Sequence, residues 1–155
     1  MVAFSSASLG PIIIADDNPD DTFILRRRLR EAGVRGPIHE FRDGRAVMDF
    51  LATLSRAGET SPAQCILFLD INMPGGTGFS VLCWLREESA FDNLRVVIIS
   101  GSDAPADMAL ASSLGADAYL PKTAELPTLG DILARLSRCA RTAHPFGPRD
   151  LIPSH

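Results

Sequence analysis

Cys65 to Gly78 reads C-I-L-F-L-D-I-N-M-P-G-G-T-G, and this stretch constrains the fold most. Cys65 to Leu69 are apolar without a break, and then a single carboxylate, Asp70, arrives. A segment apolar on both faces belongs in the middle of a parallel sheet covered by helices. Asp70 then falls at the carboxyl end of a buried strand, where open α/β sheets place their ligands. Pro74, Gly75, Gly76 and Gly78 follow at once, a loop with little side-chain bulk and a permissive backbone. Packing gives no reason for an acid at that place. A reaction centre does.

The rest of the chain alternates in the way such a strand requires. Pro11 to Ala15 is a second short apolar strand, and it too ends in acid, Asp16 and Asp17. Asn18 reads as an N-cap, Pro19 as the first helical residue, and Asp20 and Asp21 as acids matched to the helix dipole. Leu25, Leu29 and Ala32 mark the buried face of that helix, and Gly33 ends it. Ile38 to Phe41 is a less apolar strand, expected at or near an edge. Asp43-Gly44 reads as a turn before a helix with Val47, Leu51 and Leu54 inward and Gly58 near its end. Beyond the Gly-rich loop a helix is expected over 78–88, then a strand over Val96 to Ile99 capped by Ser100 and Gly101. A helix over Asp103 to Leu114 carries Leu110 and Leu114, a fifth strand covers Ala118 to Leu120, and Lys122 follows it. Leu129, Ile132, Leu133 and Leu136 define a last helix starting near Pro127. Five strand–helix alternations imply a parallel sheet with right-handed crossovers.

Residues 1–10 read as a flexible leader, 11–140 as one domain, and 141–155, with Pro145, Gly147, Pro148 and Pro153, as an irregular tail. At 155 residues the chain has room for one substantial core and not for two ordinary domains. Its 46% apolar and 22% charged content is that of a soluble globular protein. A net charge of −4 argues against bulk nucleic-acid binding. No apolar run approaches the roughly 20 residues that span a bilayer. Met1 to Gly10 lacks the basic start and long apolar core of a secretion signal, so a cytoplasmic location is expected. Cys65, Cys83 and Cys139 are odd in number and widely spaced, which predicts buried free thiols.

The strand ends together deliver a constellation. Asp16 and Asp17 come from the first strand, Asp70 from the third, Ser100 from the fourth and Lys122 from the fifth. In a sheet ordered 2-1-3-4-5, strands one and three are neighbours at the switch point; that order is borrowed from known doubly wound sheets. Three carboxylates about 5 Å apart repel by roughly 3 kcal/mol per pair at an effective dielectric near 20. Protonation or a divalent cation offsets that, and a cluster offering a few oxygens among waters suits magnesium. Magnesium beside a carboxylate, with a lysine and a hydroxyl opposite, suggests phosphoryl transfer with the carboxylate oxygen as nucleophile. Lys122 and Ser100 would then meet the phosphoryl oxygens, with backbone amides of Ile71, Asn72 and Gly101 completing the cradle.

With these residues placed, the chain resembles the receiver domains of two-component response regulators, from about Pro11 to Cys139. The likeness is carried by I-I-I-A-D-D-N, F-L-D-I-N-M-P-G-G-T-G, V-V-I-I-S-G and G-A-D-A-Y-L-P-K, in that order. It implies a flavodoxin-like (βα)5 three-layer sandwich around a parallel five-stranded sheet of order 2-1-3-4-5. It implies that Asp70 accepts phosphate from a kinase phosphohistidine. It also implies that Asp17, Asp70 and the backbone carbonyl of Asn72 bind magnesium, with Asp16 acting mostly through water. Ser100 and Tyr119 match the hydroxyl and aromatic switch positions, and Lys122 matches the lysine that contacts the phosphate. The implied chemistry is self-phosphorylation and autodephosphorylation, with no further enzymatic activity. The implied partners are a sensor histidine kinase or histidine phosphotransfer protein and a downstream protein target, with no nucleic acid and no membrane; a homodimer stays open. Only 16 residues follow Cys139, so the expectation is a single-domain regulator that signals by binding or phosphorelay. Asp-Asn-Pro-Asp-Asp after the first strand, with the long segment before Cys65, resembles regulators paired with phytochrome-type photoreceptor kinases.

Two positions depart from that family's commonest pattern. Gly101 stands where alanine is frequent, which is expected to loosen the loop after Ser100. Thr123 follows Lys122 where proline is usual. A cis bond before threonine would cost about 2.5–4 kcal/mol, so a trans bond, a looser 122–126 loop and a lysine that still reaches Asp70 are expected.

Plainer readings stand beside the sharp ones. An acid pair after a strand is commonly a helix cap, and Asp16 alone would bear that reading. Tyr119 reads as core or as a switch, and Arg26, Arg27, Arg28 and Arg30 as a solvated face or a dock for an acidic partner. Trp84 reads as packing; His39, His144 and His155 share no spacing. A flavin carrier would need a hydroxyl- and glycine-rich loop where Asp16-Asp17-Asn18 stands, and these acids repel a phosphate. An aspartyl phosphohydrolase would need a second acid two residues past its nucleophile, and that place holds Asn72. An adaptor that no longer takes phosphate would lack the acceptor, the acids or the lysine, and all are present.

Overall fold

Ile12–Ala15 (β1) and Ile66–Asp70 (β3) are the two inner strands, and every residue of both is buried. The structure, a computed structural model, describes residues 10–58, 61, 64–74 and 77–138. Ile38–Phe41 (β2) flanks β1 at one edge, while Arg95–Ser100 (β4) and Ala118–Pro121 (β5) extend the sheet beyond β3. All four pairings are parallel and the order is β2-β1-β3-β4-β5, the flavodoxin-like (βα)5 arrangement. β2 is an edge strand, in line with its mixed composition; none of its residues is fully buried.

The helices cover both faces because the strands are apolar on both. Ile13, Ala15, Leu67, Leu69, Val96 and Ile98 point to the face packed by Gly44–Ala57 (α2), Gly78–Glu87 (α3) and Pro105–Ser113 (α4). Ile12, Ile14, Ile66, Phe68, Val97 and Ile99 point the other way, against Pro19–Glu31 (α1) and Leu126–Arg138 (α5). Successive strand residues alternate between the two cores, as the pleat dictates. Three layers result.

Local chemistry sets the helix ends. Asn18 caps α1 as expected, its side chain accepting the N–H groups of Asp20 at 2.9 Å and Asp21 at 3.2 Å, with Pro19 in the first turn. Asp43 and Gly44 do not form a free turn. Asp43 is the N-cap of α2, accepting the Ala46 N–H at 2.7 Å, and Gly44 is already helical. Gly58 closes α2 at φ 71°, a left-handed backbone that an L side chain would strain. α4 starts two residues later than expected, because Pro105 fits the first turn and Ala104 precedes it extended. Its inward face is Met108, Ala111 and Ser112, and Leu110 is 43% exposed. β4 and β5 each run beyond the expected limits, to Ser100 and Pro121.

Cys65 is buried and Cys83 half-buried, so the expected burial of the thiols holds only for the first; Cys139 lies outside the described residues. The leader up to residue 9 and the tail over 141–155 lie outside them as well. Among the described residues no helix is long and apolar enough to cross a membrane.

Candidate functional site

The carboxyl ends of β1 and β3 bring three acids into one cluster, and Lys122 joins it from the end of β5. β1 ends at Ala15, so Asp16 follows directly and is buried, while Asp17 is exposed. Asp16 Oδ1 accepts the Asn18 N–H at 2.9 Å, which ties the strand end to the cap of α1. Asp70 closes β3 opposite Ile99 of β4, and it too is buried. Oxygens of Asp16, Asp17 and Asp70 all lie within 4.8 Å of one another, close to the spacing expected from the sequence.

Lys122 leaves β5 on the other side of the cluster. Its backbone N–H donates to the Ser100 carbonyl at 2.7 Å, which fixes the start of its side chain. The ammonium donates to Asp21 Oδ2 at 2.8 Å and stands 2.9 Å from Asp16 Oδ2 and 3.4 Å from Asp70 Oδ2. The last distance exceeds a good hydrogen bond and is that of an ion pair. No cis peptide bond occurs among the described residues, so Lys122–Thr123 is trans, and the lysine reaches Asp70 all the same. The loop beyond is anchored, with the Ala124 N–H donating to Pro121 O at 2.9 Å and the Arg28 guanidinium to the Ala124 carbonyl.

Charge crowding marks the site. Burial first, and then the neighbouring Asp16 charge, push the Asp70 carboxyl up to about 6, against the pull of Lys122. Burial would make Lys122 a stronger acid, but hydrogen bonds to Asp21 and Asp16 and the Asp70 charge prevail, and its pKa lies above the ordinary lysine value. Asp16 Oδ2 is buried and pairs with the Lys122 ammonium at 2.9 Å. Two buried acids and one exposed acid with oxygens this close fit a hard divalent cation, which takes oxygen ligands and neutralises their repulsion.

Ser100 and Tyr119 meet at the loop after β4. Ser100 is buried, and its Oγ accepts the Ser102 N–H at 2.9 Å. The Tyr119 ring is fully buried and its hydroxyl donates to the Ser102 carbonyl at 2.8 Å. Burial pushes the phenol pKa up. Gly101, expected to loosen this loop, is therefore followed by a residue held from both sides. One expected cradle donor is engaged elsewhere, since the Ile71 N–H donates to the Ile99 carbonyl at 3.3 Å. The Asn72 backbone N–H hydrogen-bonds the Asp70 carboxylate and draws its pKa down.

Two participants were not legible as such. Asp21 reads in the sequence as a helix-terminus acid, yet it is the partner of Lys122; only the fold brings residues 101 apart in sequence together. Gly78 reads as part of a permissive loop, yet a Cβ there would stand 2.2 Å from the Asp70 carbonyl oxygen. The arginines of α1 belong mostly to the plainer reading. Arg26 pairs with Glu40, Arg27 with Glu31 at 3.2 Å, and Arg30 donates to Gly36 O at 2.8 Å. Trp84 packs on Phe91 with ring centroids 5.3 Å apart.

The structure thus places a buried acid at the end of the middle strand of a doubly wound sheet, with two more acids beside it and a lysine opposite. The sequence matches the response regulator receiver domain family over residues 12–134, and the chain belongs to that family. Such domains take a phosphoryl group from histidine kinases in two-component signalling and bind a divalent metal in an acidic pocket. The chain is similar to response regulator Rcp1 of Synechocystis, 26% identical over 118 residues, which are 76% of this chain and 80% of that protein. A crystal structure of the Mn(2+)-bound form of response regulator Rcp1 shares the fold, with a TM-score of 0.65, 22% identity, and 82% of this chain and 91% of that one covered. The bacteriophytochrome response regulator AtBRR shares it too, with a TM-score of 0.71, 23% identity, and 86% and 96% covered.

Proposed function

We propose that Asp70 is the phosphoacceptor and that the chain acts as a single-domain response regulator. The observation that carries this reading is the place of Asp70: buried at the end of β3, within 4.8 Å of Asp16 and Asp17 and 3.4 Å from the Lys122 ammonium. An Asp70 carboxylate oxygen attacks the phosphorus of a phosphohistidine. The P–O bond forms as the P–N bond breaks, and the imidazole leaves and takes up a proton from water. Lys122 meets the charge on the phosphoryl oxygens, and the Ser100 hydroxyl donates to one of them. Asp17, Asp70 and the Asn72 carbonyl would hold magnesium, with Asp16 supporting the site, and the bound ion would supply charge neutralisation for the transferred group. In autodephosphorylation a water oxygen attacks the phosphorus, the P–O bond to Asp70 breaks, and inorganic phosphate leaves as the carboxylate is restored.

Output follows from the Ser102 loop. A Ser100 hydroxyl turned to the phosphoryl group lets go of the Ser102 N–H, and the loop held by Tyr119 shifts with it. The partner upstream is a sensor histidine kinase or a histidine phosphotransfer protein. The likeness to the bacteriophytochrome response regulator AtBRR favours a phytochrome-type kinase. Downstream the chain passes phosphate on or binds a target protein.

Incubation with acetyl phosphate and magnesium should add one phosphate by intact mass. Equal labelling of Asp70→Asn, or of the wild type in excess chelator, sinks the reading. Ser100→Ala should take phosphate yet gain nothing in target binding from it.

A further inference from the structure

Lys122 is the only lysine in the chain, where every other basic side chain of the Lys/Arg set is arginine. An arginine fork would lock to one carboxylate, whereas a lysine is a compact charge on a flexible stem whose direction must be set from outside. The backbone of Lys122 is anchored to Ser100, but nothing in its trans bond to Thr123 aims the four-carbon stem. α1 supplies the aim. Asp21, Leu25 and Arg28 follow one another at helical spacing on the face of α1 that meets the β5–α5 loop. Leu25 is buried, the Arg28 guanidinium donates to the Ala124 carbonyl, and Asp21 Oδ2 accepts from Lys122 Nζ at 2.8 Å. Its bond to the lysine is the shortest of that ammonium's three carboxylate contacts, at 2.8 Å against 2.9 Å for Asp16 and 3.4 Å for Asp70.

We propose that Asp21 is a positioning residue: it holds the Lys122 ammonium between α1 and the acceptor, so that the charge is in place before a phosphoryl group arrives. The inference rests on the phosphoacceptor reading of Asp70. Asp16 and Asp21 grip the ammonium from two directions, and the long side chain gives up its rotamer freedom ahead of the reaction. With Asp21 neutralised the ammonium keeps Asp16 and Asp70 as partners, but the arm toward α1 is free to swing into solvent.

A sole lysine makes the test clean, because amine-directed labelling of the full chain reports Lys122 and the α-amine alone, separable by peptide mass. Asp21→Asn should raise the labelling rate of Lys122 roughly three- to ten-fold, the loss of one charge-assisted hydrogen bond. The same variant should take phosphate from acetyl phosphate more slowly by a like factor. Asp20→Asn, which removes an acid from the same turn and is exposed, should do neither. Asp21→Glu, which keeps a carboxylate within reach, should restore most of the rate. Unchanged labelling in Asp21→Asn overturns the proposal, as does phosphorylation at the wild-type rate or faster, or an equal effect from Asp20→Asn. A wild type that takes no phosphate at all would overturn the reading of Asp70, while the labelling result would still stand on its own.

Discussion

Asp70 is the residue whose ionisation folding opposes. Its carboxyl titrates at about 6 in the fold because burial and Asp16 both disfavour the charge, against an ordinary value of 3.8. A carboxyl raised in this way contributes stability below the ordinary value, and that contribution is lost as pH rises through about 6. At pH 7 the buried charge is therefore a burden on the fold of the metal-free protein. Asp70→Asn should unfold at higher urea than the wild type at pH 7, by about 1–3 kcal/mol, with the gain shrinking towards pH 4. A gain of the same size at both pH values would mean that charge is not its source. The place of Asp70 was legible in the sequence, since an acid that ends a run of buried residues has no packing role. The environment that sets its protonation was not, because it depends on Asp16 across a strand pair and on a lysine 52 residues away.

At the scale of elements, strand and helix positions were legible from apolar runs and caps, and the errors sit at their ends. Asp43-Gly44 reads as a turn, and the Ala46 N–H makes Asp43 the cap of α2 instead. Leu110 continued an apolar pattern, yet it stands exposed while Met108, Ala111 and Ser112 of the same helix are buried. Gly78 is the sharpest case. Its N–H donates to the Ile71 carbonyl at 2.8 Å and its α-carbon rides against the Asp70 carbonyl, so α3 begins in contact with the end of β3. Backbone cannot yield as a side-chain tip can. Gly78→Ala should cost about 1–3 kcal/mol of stability and slow phosphorylation of the fraction that remains folded, by moving the acceptor strand end. Wild-type values in both urea unfolding and acetyl phosphate labelling would show that α3 can slide away freely.

Over the whole molecule, chemistry and stability occupy opposite ends of the sheet. At the amino ends of β4 and β5, Asp117 accepts the Val96 N–H at 2.8 Å and an Arg86 N–H at 3.2 Å. Arg86 in turn donates to the carbonyls of Gly115 at 3.0 Å and Phe91 at 2.9 Å, so one half-buried network joins α3 to both strands. Asp117→Ala deprives Arg86 of that counter-charge and should cost about 2–4 kcal/mol in urea unfolding. Acetyl phosphate labelling of the folded protein should be unchanged; a slowed reaction would mean that the two ends are coupled through the sheet. The sequence offers G-A-D-A-Y as a single motif, but its aspartate and its tyrosine serve these opposite ends. Tyr119, whose hydroxyl holds the Ser102 carbonyl, is also the chain's only tyrosine, and Trp84 its only tryptophan. The near-ultraviolet dichroism of the phenol therefore comes from one ring, fixed to one loop. The protein carries its own optical gauge of the segment beside the acceptor, without a label and on any timescale a spectrometer can follow.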